Sequence, residues 1–204
     1  MRCTPKFLTL VLLFIANTPF MAQSTPRVEH PDPVVYEIYS TVLSTYQHSD
    51  RTRSKELVIR GETLMSLGAF INTVAPKRTC LSVGEEQREF VGQAVDDYVR
   101  VNQRKWRLDR KFKLDMSYTL FDPQRVTSIW GEAQWRQFYV DYPESKGIID
   151  LSAIGFNADK TVAIFSVGRW CGPLCGEGGH QFLQKKDGKW IPFQWKGEAC
   201  HWIS

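Results

Sequence analysis

The run Gly168-Arg-Trp-Cys-Gly-Pro-Leu-Cys-Gly-Glu-Gly-Gly-His180 constrains this chain more than any other stretch. It places Cys171 and Cys175 in one segment with five glycines, between two β-type segments, Val162 to Val167 and Phe182-Leu183. Glycine reaches backbone conformations that other residues avoid, so such a run between strands predicts a tight, unusual loop. Loops of that kind on a rigid sheet are where binding and catalytic groups tend to sit. The residues read as ligand-contacting are Trp170, Cys171, Cys175, Glu177 and His180, with Trp202 near the C-terminus.

The first residues read as a secretory signal. Arg2 and Lys6 give a basic start, Phe7 to Ala16 is an apolar run, and small residues follow near Ala22. Cleavage is expected after Ala22, with Ser24 as the alternative. The apolar run is shorter than the ~20 residues that span a bilayer, so no stable membrane insertion is expected. This division gives residues 1–22 as signal, 23–31 as a polar leader without fixed structure, and 32–204 as one domain. Loss of Arg2 and Lys6 would lower the net charge from +4 to +2. That balance argues against nucleic acid as the main partner. The basic stretch Arg104 to Lys113, interleaved with Trp106 and Asp109, reads as a solvated face.

Four cysteines remain after the signal: Cys80, Cys171, Cys175 and Cys200. An even count in an exported chain predicts disulfides, with three possible pairings, of which Cys171–Cys175 with Cys80–Cys200 is favoured. The chain-entropy model gives about 2 kcal/mol for the short ring and about 5 for the long one.

Asp32-Pro33 and Asp122-Pro123 are helix-start signals, an N-cap acid before a proline. Val35, Ile38, Val42 and Tyr46 then recur at helical spacing. Ser82 with Glu85 fits a capping box, opening a helix whose stripe is Phe90, Val91, Ala94, Val95 and Tyr98. Glu56 to Arg60 reads as a strand, and Phe112, Leu114, Met116, Tyr118 and Leu120 alternate as a strand with one buried face. From Ile148 onward the pattern is all strand, with Asp187-Gly188 as a hairpin signal. The expected fold is α+β, with N-terminal helices packed on an antiparallel meander sheet. The order of elements also matches the cone-like sheet of nuclear-transport-factor-like proteins.

Tyr142-Pro-Glu-Ser-Lys-Gly-Ile-Ile149, Leu151-Ser-Ala-Ile-Gly-Phe-Asn157, the Cys-Gly-x-Leu-Cys-Gly run, Lys185-Lys-Asp-Gly-Lys-Trp190 and Trp202-Ile-Ser204 are shared motifs. Through them the chain resembles a family of uncharacterised exported bacterial proteins. Val35 to Leu43, Leu57-Val-Ile59 and Glu62-Thr63 extend the resemblance into the first half. It implies a secreted or periplasmic location and a shared shape, and it carries over no functional residues.

The cysteine run has competing readings. A disulfide-shaped loop is favoured over a thiol redox pair, whose spacing is normally one residue shorter. Zinc would need His180, Cys200 or His201 to complete the set, and oxidation competes for the same sulfurs. Ser152 and Ser166 lie in strands outside any Gly-x-Ser-x-Gly elbow, which disfavours serine hydrolysis. Six of the seven tryptophans fall in the last 75 residues. They read mainly as core, with Trp170 and Trp202 as the candidates for exposure. The resulting expectation is a non-enzymatic exported binding or structural domain using an aromatic-rich sheet and the Gly/Cys loop. It would act on an extracytoplasmic ligand or protein without a cofactor. The alternative is a hydrolase or thiol enzyme centred on Cys171, Cys175 and His180.

Overall fold

The computed structural model describes residues 31–48, 55–65, 85–126, 131–193 and 201–203. The expected signal and leader lie outside these residues, apart from Pro31. Cys80, Cys200, Trp130 and Trp195 also lie outside them.

Both acid–proline starts behave as expected. The Asp32 carboxylate accepts the Val34 amide at 3.0 Å and opens α1 (Val34–His48). Burial of Val35, Ile38, Tyr39, Val42 and Leu43 holds that helix down. The second helix, α2 (Glu85–Val101), buries Val91, Ala94 and Tyr98. Asp122 accepts the Gln124 amide at 2.9 Å ahead of the short α3 (Pro123–Val126). In α4 (Glu132–Asp141), Trp135 and Phe138 are buried.

The strands form one curled, mixed sheet, a half-barrel, in the order β2-β1-β3-β5-β6-β7. Its N-terminal members are β1 (Glu56–Arg60) and β2 (Ser117–Phe121). The meander is β3 (Ile148–Leu151), β4 (Gly155–Phe156), β5 (Val162–Gly172), β6 (Cys175–Lys186) and β7 (Lys189–Pro192). Last comes β8 (His201–Ile203). β5 and β6 are long enough to take two short neighbours each: β3 and β4 flank β5, and β7 and β8 flank β6. Asp187 (φ 50°) and Gly188 (φ 77°) make the expected tight turn before β7.

From β3 onward every pairing is antiparallel, as the meander reading requires. The antiparallel expectation fails for β1, which runs parallel to both β2 and β3. The chain between β1 and β2 contains α2, and a helical crossover returns the backbone in the same direction. Leu57, Val58 and Ile59 are buried on both faces, as an interior parallel strand demands. The expected strand across 112–120 is also shorter than its alternation suggested. Only Ser117–Phe121 joins the ladder, although Phe112 is buried and Leu114 and Met116 are partly so.

Helices cover both faces of the sheet. On one face α1 packs on Ile59, Leu151, Phe165, Val167 and Leu183. On the other, α2 packs on Val162, Ile164 and Phe182, while α4 packs on Val58, Ile148 and Trp170. Contact with α2 is close at Gly155, where an added Cβ would fall 2.2 Å from the Tyr98 backbone nitrogen. Glycine is required there.

Candidate functional site

The glycine-rich run is not a loop. Gly168 to Gly172 and Cys175 to His180 continue as paired strands, with Val167 opposite Gly179, Gly168 opposite Gly178 and Trp170 opposite Gly176. Only Pro173 and Leu174 lie between the two strands, and Leu174 is 89% exposed. Strand pairing satisfies these backbone groups, so the glycines extend the sheet instead of bending the chain out of it. Cys171 and Cys175 form a disulfide across the tip, with Cα atoms 5.0 Å apart. Their sulfurs are bonded to each other and are not thiolates that a metal or a redox partner would use. The Tyr139 hydroxyl, on α4, donates to the Cys171 carbonyl at 2.9 Å and braces the hairpin from one side.

The predicted contact residues do not converge. His180 stands opposite Ser166, and Glu177 stands opposite Arg169. Side chains alternate along a strand, so positions three apart project from opposite faces of the sheet. Glu177 therefore pairs with Arg169, at 2.8 Å, and not with His180. Five residues of extended strand, about 16 Å at ~3.3 Å per residue, separate His180 from Cys175. The thiol–imidazole arrangement of the enzyme reading is not assembled. His180 is buried, and its ring meets the Tyr98 ring edge-on at 5.6 Å between centroids. Trp170 is partly buried against the cluster under α4, and its indole N–H donates to Asp150 at 2.9 Å. Trp202 joins the sheet by its backbone, opposite Gly178.

Two buried polar constellations lie on this face. Arg60 Nε and Nη2 donate to the two carboxylate oxygens of Asp150 at 2.6 and 2.9 Å, and Asp150 is 2% exposed. Burial pushes the Asp150 carboxyl up, while the Arg60 hydrogen bond and charge and the Trp170 indole pull the other way. Beside them the Tyr98 and Ser166 hydroxyls are 2.8 Å apart, and the Ser152 hydroxyl accepts the Ser166 amide at 2.7 Å. Burial raises the Tyr98 phenol, so it stays protonated and serves as a hydrogen-bonding group.

An open cleft of about 350 Å³ lies elsewhere, between α1, α2 and the segment 153–160. Its apolar lining includes Val35 and Tyr39 from α1, Val101 from α2, Trp106, Ile154 and Phe156. Asp32, Asp97, Arg100 and Lys160 also line it. Each charge is matched: Lys160 meets Asp32 at 3.1 Å, and Arg100 bonds Asp97. The Val34 amide above all, aided by Lys160, holds the Asp32 carboxyl below its usual range. Asp97 also accepts the Phe156 amide at 3.0 Å. Asn102 pins the opposite wall by donating to the Tyr98 and Ala153 carbonyls and accepting the Ala153 amide. These bonds fix the cleft's shape in advance of any ligand.

Among the described side chains, none of the sequence-predicted contact residues lines the cleft. From sequence, Asp32 reads as a helix cap, Val35 as part of a helical stripe and Trp106 as part of a solvated basic face. The available signal was Trp106, set apart from the six C-terminal tryptophans and within a basic stretch.

Among the described residues no group of three His, Cys, Asp or Glu is placed to hold a metal ion, and no helix is long and apolar enough to cross a membrane. No protein-family model, curated protein or solved structure matches the chain.

Proposed function

We propose that this chain is a non-enzymatic, exported binding domain whose ligand is a small amphipathic molecule seated in the cleft between α1 and α2. The observation that carries this reading is the composition of the cleft. An aromatic and aliphatic floor lies under a few fixed polar groups, and the cleft's volume falls in the range of small-molecule sites. Its four charged groups are matched in pairs and two also hold backbone amides, which suits a binding surface better than acid–base chemistry. Export is supported by the basic start at Arg2 and Lys6, by the apolar run Phe7 to Ala16 and by the resemblance to exported bacterial proteins. The Cys171–Cys175 bridge suits an oxidising compartment.

Titration with the fluorescent amphiphile anilinonaphthalene sulfonate tests the reading. One saturable site per chain is expected. It should be lost in Ala158→Trp, which puts bulk at the exposed rim, and kept in Leu174→Ser at the hairpin tip. Absence of a saturable site would sink the proposal. Loss of binding in Leu174→Ser alone would move the site to the hairpin.

A further inference from the structure

The excess positive charge of this protein is confined to one segment. Residues 104–113 carry six cations and one acid, Asp109, a net +5, against +4 for all 204 residues; everything outside the segment sums to −1. All six cations, Arg104, Lys105, Arg107, Arg110, Lys111 and Lys113, are exposed.

The segment is a strap without regular secondary structure, fastened down its length. The Leu108 amide donates to the Gly61 carbonyl at 2.9 Å, the Asp109 amide to the Tyr36 hydroxyl at 2.7 Å, and the Lys113 amide to the Ser40 hydroxyl at 2.8 Å. Leu108 and Phe112 are buried beneath it. Aromatic rings then hold several of the cations in place. The Arg104 guanidinium carbon lies 4.0 Å from the Trp106 ring centroid, that of Arg110 lies 4.9 Å from Tyr118, and the Lys111 ammonium lies 5.7 Å from Tyr36. Lys105 and Lys111 pair with Glu62 and Asp109. Arg107, Arg110 and Lys113 have no carboxylate partner among the described residues.

We infer that the 104–113 strap is a docking face for the anionic phospholipid surface of a membrane, held by headgroup phosphates without insertion of a helix. A row of cations fixed along an extended strap complements a flat field of phosphates. Shallow apolar contact is available at one end. Met65 is 47% exposed and lies two residues beyond Thr63, whose amide donates to the Trp106 carbonyl at 2.9 Å. Nucleic acid is the less favoured polyanion. The strap presents neither a helix nor a hairpin to a groove, and the rings that bases would stack on are already covered by cations. This inference does not depend on the cleft being a ligand site.

Cosedimentation of the purified protein with vesicles tests it. Binding to mixed phosphatidylglycerol–phosphatidylcholine vesicles is expected at low salt, with little to pure phosphatidylcholine. Release is expected near 1 M salt, where the Debye length is about 3 Å. Each neutralised cation should weaken binding about fivefold, so Arg107→Gln/Arg110→Gln/Lys113→Gln should lose roughly a hundredfold. Arg107→Lys/Arg110→Lys keeps the charge and should keep the binding, which separates electrostatic docking from a structural defect. Equal binding to both vesicle types, or an unaffected triple variant, would overturn the inference. So would retention on a DNA duplex at the salt that releases the vesicles.

Discussion

At the scale of single residues, Asp150 and Arg60 show how burial changes the value of an ion pair. Arg60 holds Asp150 through two hydrogen bonds, and the Trp170 indole satisfies the carboxylate further. Removing one partner leaves the other charge in a low-dielectric interior, a far larger penalty than losing a surface pair. Asp150→Ala is therefore expected to cost about 3–5 kcal/mol in denaturant unfolding. The double change Arg60→Met/Asp150→Leu should recover most of that loss, since it leaves no orphaned charge. A single variant within ~1 kcal/mol of the parent protein would show that the pair does not hold the sheet together there. Sequence gave no hint of this partnership. Arg60 and Asp150 are 90 positions apart, Arg60 closing a strand with the apolar centre Leu57-Val-Ile59 and Asp150 standing among Ile148, Ile149 and Leu151.

At the scale of elements, the cysteine hairpin is built to keep a shape. The bridge closes a five-residue ring, which limits its entropic contribution to about 2 kcal/mol. Strand pairing continues below the ring from Trp170 and Gly176 onward. Cys171→Ser/Cys175→Ser is therefore expected to lower stability by about 2 kcal/mol at most and to leave the far-ultraviolet circular dichroism spectrum unchanged. Outright unfolding of this variant would mean that the bridge, and not strand pairing alone, holds the hairpin in the native state. The hairpin also marks where reading from sequence succeeds and fails. The bridge, the Asp187-Gly188 turn and both acid–proline helix starts were legible, because each depends on residues close together in the chain. The glycines misled, because nothing local distinguishes a glycine that frees a loop from one that lies in a paired strand. The cleft stayed hidden for the related reason that its walls, Tyr39, Val101 and Phe156, meet only after α1, α2 and β4 have packed.

At the scale of the whole molecule, the sheet divides into a local and a distant part. β5, β6 and β7 follow one another through short connections, while β1 lies between β2 and β3, strands that begin 61 and 92 positions after its first residue, Glu56. Local contacts form faster than distant ones because less loop entropy is lost in closing them. Pulse-labelled hydrogen exchange during refolding should therefore find β5 and β6 amides protected before those of Leu57, Val58 and Ile59. Simultaneous protection, or protection of β1 first, would count against this order.

The interior position of β1 also has a consequence for biosynthesis. Leu57, Val58 and Ile59 leave the ribosome long before their partner Ile148 does. At 5–20 residues per second the delay is roughly 4–18 s. Throughout that interval an apolar strand has no native partner on its β3 edge, and unpaired apolar strands invite aggregation. A holding chaperone present during synthesis is therefore expected to raise the yield of folded protein, by covering this strand until the second half is complete.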